Sequence, residues 1–150
     1  MKKQVLFLLI VMVLTFGLVA KDAPKAGVEK EKTAIKAAAL DYIEGWYEGS
    51  PGRMGKALHP ALHKVGLRAY KPGGNNVLTP IGYTAMVELV RMGVGKKTPP
   101  DKRNIKVKIL DVSKNIASVK TMSSDFIDYL LLAKMDGQWK IVNVLWEPAK

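Results

Sequence analysis

The chain has 150 residues, 24 Lys and Arg against 13 Asp and Glu, a formal net charge of +11 and no cysteine. Without thiols there are no disulfides, no thiolate catalysis, no iron–sulfur ligation and no thioether haem, so stability must come from a hydrophobic core, which ~130 residues can supply. The positive balance would attract acidic lipids or polyanions at low salt, but basic residues spread along the chain are read first as an ordinary well-charged soluble surface. No nucleic-acid motif or stacking aromatics accompany it, so no specific nucleic-acid partner is expected.

Residues 1–20 open with Lys2 and Lys3, continue as an apolar run from Val5 to Leu14, and end in Gly17 and Ala20 before Lys21-Asp22-Ala23-Pro24-Lys25. That is the layout of a secretory signal peptide, with cleavage expected after Ala20. Gln4 to Ala20 spans 17 residues, the short end of what crosses ~30 Å of hydrocarbon. Export to a periplasm or the exterior is expected, with no transmembrane segment after cleavage. Losing Lys2 and Lys3 would take the charge from +11 to +9.

Residues 21–32 read as a charged, flexible lead-in, and 33–150 as a single domain. A helix is expected over 33–48, where Ile35, Ala39, Tyr42, Ile43 and Trp46 share one face and Gly49 follows. Ser50-Pro51 opens a second, short helix with a cap and a first-turn proline; Met54, Ala57 and Leu58 line its inner side. Val65 to Tyr70 is a short strand, and Pro72-Gly73-Gly74-Asn75-Asn76 a turn. Thr79-Pro80 repeats the cap-and-proline pattern and predicts a third helix with Met86, Leu89 and Val90 as its stripe.

After Arg103 the period changes from 3.6 to 2. Strands are expected over 104–112, 116–122, 125–135 and 138–147, with Asp136-Gly137 a strong hairpin turn. Helices followed by an antiparallel meander give an α+β order. Pointing Lys106, Lys108, Lys120, Lys134 and Lys140 at solvent turns Ile105, Val107, Ile109, Ala117, Val119, Thr121, Ile127, Tyr129, Leu131, Ala133, Trp139, Ile141, Asn143 and Leu145 inward. Leu130, Leu132, Val142, Val144 and Trp146 then lie outside, an apolar patch too large for a monomer. Two readings follow: a homodimer interface, or a sheet covered on both faces within one chain.

The run Asp41-Tyr42-Ile43-Glu44-Gly45-Trp46-Tyr47-Glu48-Gly49, then Met54 and Leu58-His59-Pro60, then 125–146 with its Asp136-Gly137-Gln138-Trp139-Lys140-Ile141 core, resembles the nuclear-transport-factor-2-like superfamily. Within it the chain is most similar to the bacterial "putative lumazine-binding" branch, related to the SnoaL-like proteins, over residues 33–147. The resemblance implies a cystatin-like roll: a curved antiparallel sheet wrapped around three N-terminal helices as a cone, with a pocket between them. It also implies dimers formed through the outer sheet face. It implies no single activity, because the superfamily holds isomerases, dehydratases, cyclases and non-enzymatic binding modules.

Within such a cone the candidate ligand-binding residues are Tyr42, Trp46, His59, Thr121, Asp125, Tyr129, Trp139 and Asn143, polar or aromatic groups converging on an apolar pocket. Asp125 as general base with Tyr129 or His59 as donor are the candidate catalytic groups. For each residue taken singly, a cap or core role competes with this one. His59 and His63 are four apart, but Pro60 interrupts a helix and no third ligand is evident, so neither metal nor cofactor is expected. Gly93-Val94-Gly95-Lys96-Lys97-Thr98 lacks the spacing and the preceding strand of a phosphate loop. The expected function is exported binding of a small apolar or aromatic molecule. The alternatives are a proton-transfer isomerase, dehydratase or cyclase, and an envelope-associated interaction module using the basic stretch from Lys96 to Lys108.

Overall fold

In a computed structural model, which describes residues 23–69 and 71–149, the first helix, α1, runs Ala23–Glu48. It begins ten residues ahead of the expected start at Thr33. Ala, Lys and Glu, all strong helix formers, dominate 23–32, and Pro24 falls in the first turn, where no N–H is needed. Residues 23–32 of the segment read as a lead-in are therefore helical. The proposed signal, 1–20, lies outside the described residues. Lys32–Lys150 form one compact unit, and all packing below lies inside it.

Ile35, Ala39, Tyr42, Ile43 and Tyr47 of α1 are buried. Gly49, at φ +62°, turns the chain out of the helix, a left-handed position that costs glycine nothing. Ser50 Oγ then accepts from Arg53 N at 3.4 Å to cap α2, Pro51–Ala57. Arg53 holds α2 against α1 through Asp41 (3.0 Å), Glu48 (2.8 Å) and Glu44, and Lys56 reaches Asp41 at 2.7 Å.

The sheet has six strands, one more than the sequence suggests, and the short strand expected over Val65 to Tyr70 is part of a longer one. β1 is Leu58–Ala69, β2 Asn76–Ile81, β3 Lys106–Val112, β4 Ile116–Met122, β5 Phe126–Met135 and β6 Gln138–Pro148, in the order β2-β1-β6-β5-β4-β3. Pairing is antiparallel except between β1 and β6, which run parallel, so the sheet is mixed. Thr79-Pro80 does not open a helix. Pro80 lies in edge strand β2, opposite Val65, where an absent N–H is tolerated, and α3 follows as Tyr83–Arg91. Asp136 and Gly137 both have positive φ, 49° and 77°, the conformation a tight hairpin requires.

The predicted faces hold on β4, where Ala117, Val119 and Thr121 are buried, and on the start of β6, where Trp139 and Ile141 are buried. They are reversed on β5 and on the rest of β6. Leu130, Leu132 and Val144 are buried under the helices, and Trp146 packs against the same core. Tyr129, Leu131 and Leu145 are 47%, 52% and 48% exposed on the opposite face. Two causes are visible. Lys134 shares parity with Asp128, Leu130 and Leu132 near the end of β5, so it is a poor marker of the outer face. On β6 the partners jump from Asn143↔Leu131 to Ile141↔Leu132, leaving Val142 as an extra residue, and a one-residue bulge exchanges the faces of everything beyond it. The interface expected from Leu130, Leu132, Val144 and Trp146 is therefore intramolecular core.

Candidate functional site

The inward alternation of β1 reads Leu62, Lys64, Gly66, which carries a lysine into the core at 6% exposure. A buried ammonium needs a counter-charge, and β5 supplies it: Asp128, 1% exposed, lies 3.1 Å from Lys64 Nζ. Tyr42 from α1 completes the group. Its hydroxyl donates to Asp128 Oδ1 at 2.8 Å and accepts from Lys64 Nζ at 2.5 Å. Thr121 Oγ1 donates to Asp128 Oδ2 at 3.2 Å.

Burial drives the Tyr42 pKa well above 10.0, reinforced by the Asp128 charge, so the phenol stays neutral. Burial lowers the Lys64 pKa from 10.5, with Asp128 opposing the shift. The cluster is thus a cation and an anion cancelling each other beside two neutral hydroxyls.

Beside it lies a cavity of about 60 Å³ whose other walls are apolar: Ile43 and Trp46 of α1, Ile81 of β2, Met86 and Leu89 of α3, Phe126 of β5 and Trp146 of β6. Trp46, Phe126 and Trp146 form an edge-to-face chain with centroid separations of 5.8 and 5.3 Å. Gly66 pairs directly with Trp146, and a Cβ on it would lie 2.6 Å from the indole carbons. Glycine there lets the ring lie close against the β1 backbone. Lys64 Nζ sits 5.0 Å from the centroid of that indole and 5.2 Å from that of Tyr42, cation–π contacts that offset part of the ammonium's desolvation. Trp146 Nε1 is buried with no hydrogen-bond partner among the described residues.

Tyr42 and Trp46, expected at the pocket, line this cavity, and Thr121 supports Asp128 from behind. The other candidates lie elsewhere. Asp125 accepts from Tyr47 Oη at 2.9 Å and Thr98 Oγ1 at 2.7 Å, tying the 94–103 loop to α1. Tyr129 is on the outer face, with Lys120 Nζ 5.0 Å from its ring centroid. His59 Nδ1 accepts from Ala61 N at 3.1 Å at the start of β1. Trp139 is core, and Asn143 Nδ2 lies 3.4 Å from His63 Nδ1. Asp125, Tyr129 and His59 thus do not converge as an acid–base set. His59 and His63 share an extended strand, where four residues span ~13 Å. Among the described residues no group of three or more His, Cys, Asp or Glu is placed to hold a metal, and no helix is long and apolar enough to cross a membrane.

Lys64 is not legible in the sequence because it stands just ahead of the strand expected over Val65 to Tyr70, and Asp128 because its parity puts it on the expected outer face. One signal was available. Asp128 stands two and four residues before Leu130 and Leu132, so whichever face takes those leucines takes the carboxylate too.

A family model described as "Putative lumazine-binding" matches residues 30–147. Several solved structures are similar in fold. A nuclear-transport-factor-2-like protein with a cystatin-like fold from Novosphingobium aromaticivorans aligns at TM-score 0.65 and 9% identity, covering 90% of this chain and 92% of its own. A protein of that superfamily of unknown function from Silicibacter pomeroyi aligns at TM-score 0.62 and 16% identity, covering 81% and 98%. A protein called "Putative Scytalone Dehydratase" from N. aromaticivorans aligns at TM-score 0.55 and 18% identity, covering 84% and 89%. Among curated proteins no match was found.

Proposed function

The chain belongs to the nuclear-transport-factor-2-like family described as "Putative lumazine-binding", and from that premise we propose that it binds a small apolar or aromatic molecule in the cavity beside Lys64 and Asp128. One observation carries the reading: a buried, mutually neutralised polar cluster set into an otherwise apolar, aromatic-walled cavity. Apolar walls supply affinity and a few fixed polar groups supply orientation. A cavity of about 60 Å³ is smaller than the ~150 Å³ that holds a benzene, so α3, which carries Met86 and Leu89, gives way as the ligand enters. Native mass spectrometry of protein purified from its own host tests this. A retained small molecule that Lys64→Met releases supports it. No retained molecule, together with no saturable quenching of tryptophan fluorescence by flat aromatic probes, overturns it.

A second reading is proton-transfer catalysis at the same place, with Asp128 and Lys64 in place of Asp125, Tyr129 and His59. The buried ion pair beside the cavity favours it, as does the dehydratase name carried by one structural relative. Turnover of the retained molecule that Asp128→Asn removes while affinity persists would establish it.

The proposal extends to assembly and location. The outer sheet face presents Tyr129, Leu131 and Leu145 beside two shallow grooves of about 290 and 150 Å³. A second copy of the chain is its proposed occupant, because an apolar face of this kind is rarely left in water. The sequence of residues 1–20 supports export to a periplasm or the exterior.

A further inference from the structure

For a ligand to enter, α3 must yield, and on that reading the structure also shows what holds the helix shut. α3 passes through Met92 into a loop that begins at Gly93, with φ +72°, a conformation that suits a chain reversal at a helix end. Two residues on, a Cβ at Gly95 would lie 2.6 Å from Trp46 Cδ1 and Nε1, and closer still to the Trp46 carbonyl oxygen. The buried loop backbone at Gly95 therefore lies directly against Trp46. Trp46 walls the cavity together with Met86 and Leu89 of α3.

The far end of the loop is fastened by a ring of four residues. Tyr47 Oη and Thr98 Oγ1 donate to the same oxygen, Asp125 Oδ2, at 2.9 and 2.7 Å. Arg103 joins the two donors: its Nε donates to the Thr98 carbonyl at 3.2 Å and its Nη2 to the Tyr47 carbonyl at 3.1 Å. Tyr47 and Asp125 are chain neighbours of Trp46 and Phe126, so the ring is anchored at two walls of the cavity. Between Gly93 and Arg103 the chain forms two short 3-10 turns, Val94–Lys97 and Pro100–Lys102. A segment with so little regular structure of its own opens at low cost, so its position depends on the fastening.

We propose that Asp125, Thr98 and Tyr47 form a latch on the cavity. Closed, it holds Gly95 against Trp46; released, it lets the loop and α3 lift together, and the cavity widens to admit a ligand. Asp125 is thereby a positioning residue that acts through Thr98. Because the chain has no cysteine, a single introduced thiol can time the opening. Met86→Cys, at a residue 2% exposed on the cavity wall, is the reporter, with Leu89→Cys in its place should that variant not fold. Val119→Cys, at a residue 0% exposed in β4, follows unfolding of the sheet. Both are labelled with N-ethylmaleimide at several low urea concentrations and followed by mass spectrometry.

Met86→Cys should label about tenfold faster than Val119→Cys or more, with little dependence on urea, since a local opening exposes little surface. Thr98→Val keeps the side-chain shape and removes one hydrogen bond to a carboxylate, so it should speed Met86→Cys about tenfold. Ile141→Val, in the buried part of β6, weakens the sheet core and leaves the latch untouched; it should speed Val119→Cys and not Met86→Cys. Equal rates at the two reporters, a steep urea dependence at Met86→Cys, its acceleration by Ile141→Val, or no acceleration by Thr98→Val overturns the latch. Each leaves binding in the cavity standing, because no ligand enters the assay. A latch that opens as expected, with no retained molecule from the host and no saturable quenching, sinks the binding reading alone.

Discussion

Replacing Lys64 with Met keeps the length and apolar stem of the side chain and deletes only the ammonium. The carboxylate of Asp128, 1% exposed, is then buried with hydrogen bonds from Tyr42 and Thr121 but no cation. Breaking a buried pair in this way costs about 3–5 kcal/mol, against a total stability of about 5–15 kcal/mol for a domain. Urea unfolding should show a midpoint lowered in proportion with an unchanged slope, and melting should fall by about 10 °C or more. Asp128→Leu alone should cost a similar amount, because it strands the ammonium. The double variant Lys64→Met with Asp128→Leu should recover most of the loss, since an apolar pair of similar volume replaces an ion pair at little net cost. The coupling read from that cycle should therefore be about 3 kcal/mol or more. Single variants that lose under about 1 kcal/mol, or that simply add in the double, would refute the account of Lys64 and Asp128 as a desolvated pair.

Gly66→Ala should force the Trp146 indole off the β1 backbone, lowering stability by about 1–3 kcal/mol and shifting tryptophan emission to the red; an unshifted spectrum with full stability would contradict the close contact. The Asp41 carboxyl is opposed by its own burial, but hydrogen bonds and charge from Lys56 and Arg53 outweigh that and hold its pKa below 3.8. Its contribution is present above the unfolded value and lost as pH falls through the lower, folded value. Asp41→Asn should therefore flatten the acid-side drop in urea midpoint below about pH 4, and an unchanged acid limb would count against it. Leu131→Glu, on the outer face, should convert a dimer to a monomer in light scattering while leaving ligand binding in place; a persisting dimer would move the interface elsewhere.

Much of the fold was legible because alternation is robust where a strand has one buried face. The four C-terminal strands and the hairpin at Asp136-Gly137 could be read this way, and so could the inner stripe of α1. β1 was harder, since His59-Pro60-Ala61 looks like an interruption, and the pairing of β1 with β6 shifts register across it. β2 imitates a helix start in Thr79-Pro80, and only its place at the sheet edge makes the proline acceptable there. The site was half legible. Tyr42, Trp46 and Thr121 follow from periodicity, whereas Lys64 and Asp128 each look solvent-facing when read singly and become core only as a pair. No local pattern announces the bulge at Val142. It depends on how β6 pairs with β5, and it exchanges the faces of Asn143, Val144, Leu145 and Trp146.

The parallel pairing of β1 with β6 sets the order in which the molecule can be completed. β6 lies between β1 and β5, so a nascent chain halted before Gln138 holds only a two-stranded ribbon and a separate three-stranded meander. Neither can offer Lys64 and Trp146 to each other. The strand that joins the halves is synthesised after both of them, and closing the seam brings together residues some eighty positions apart, such as Gly66 and Trp146, a slow step for any chain. Until then the polypeptide remains open to whatever machinery handles unfolded chains.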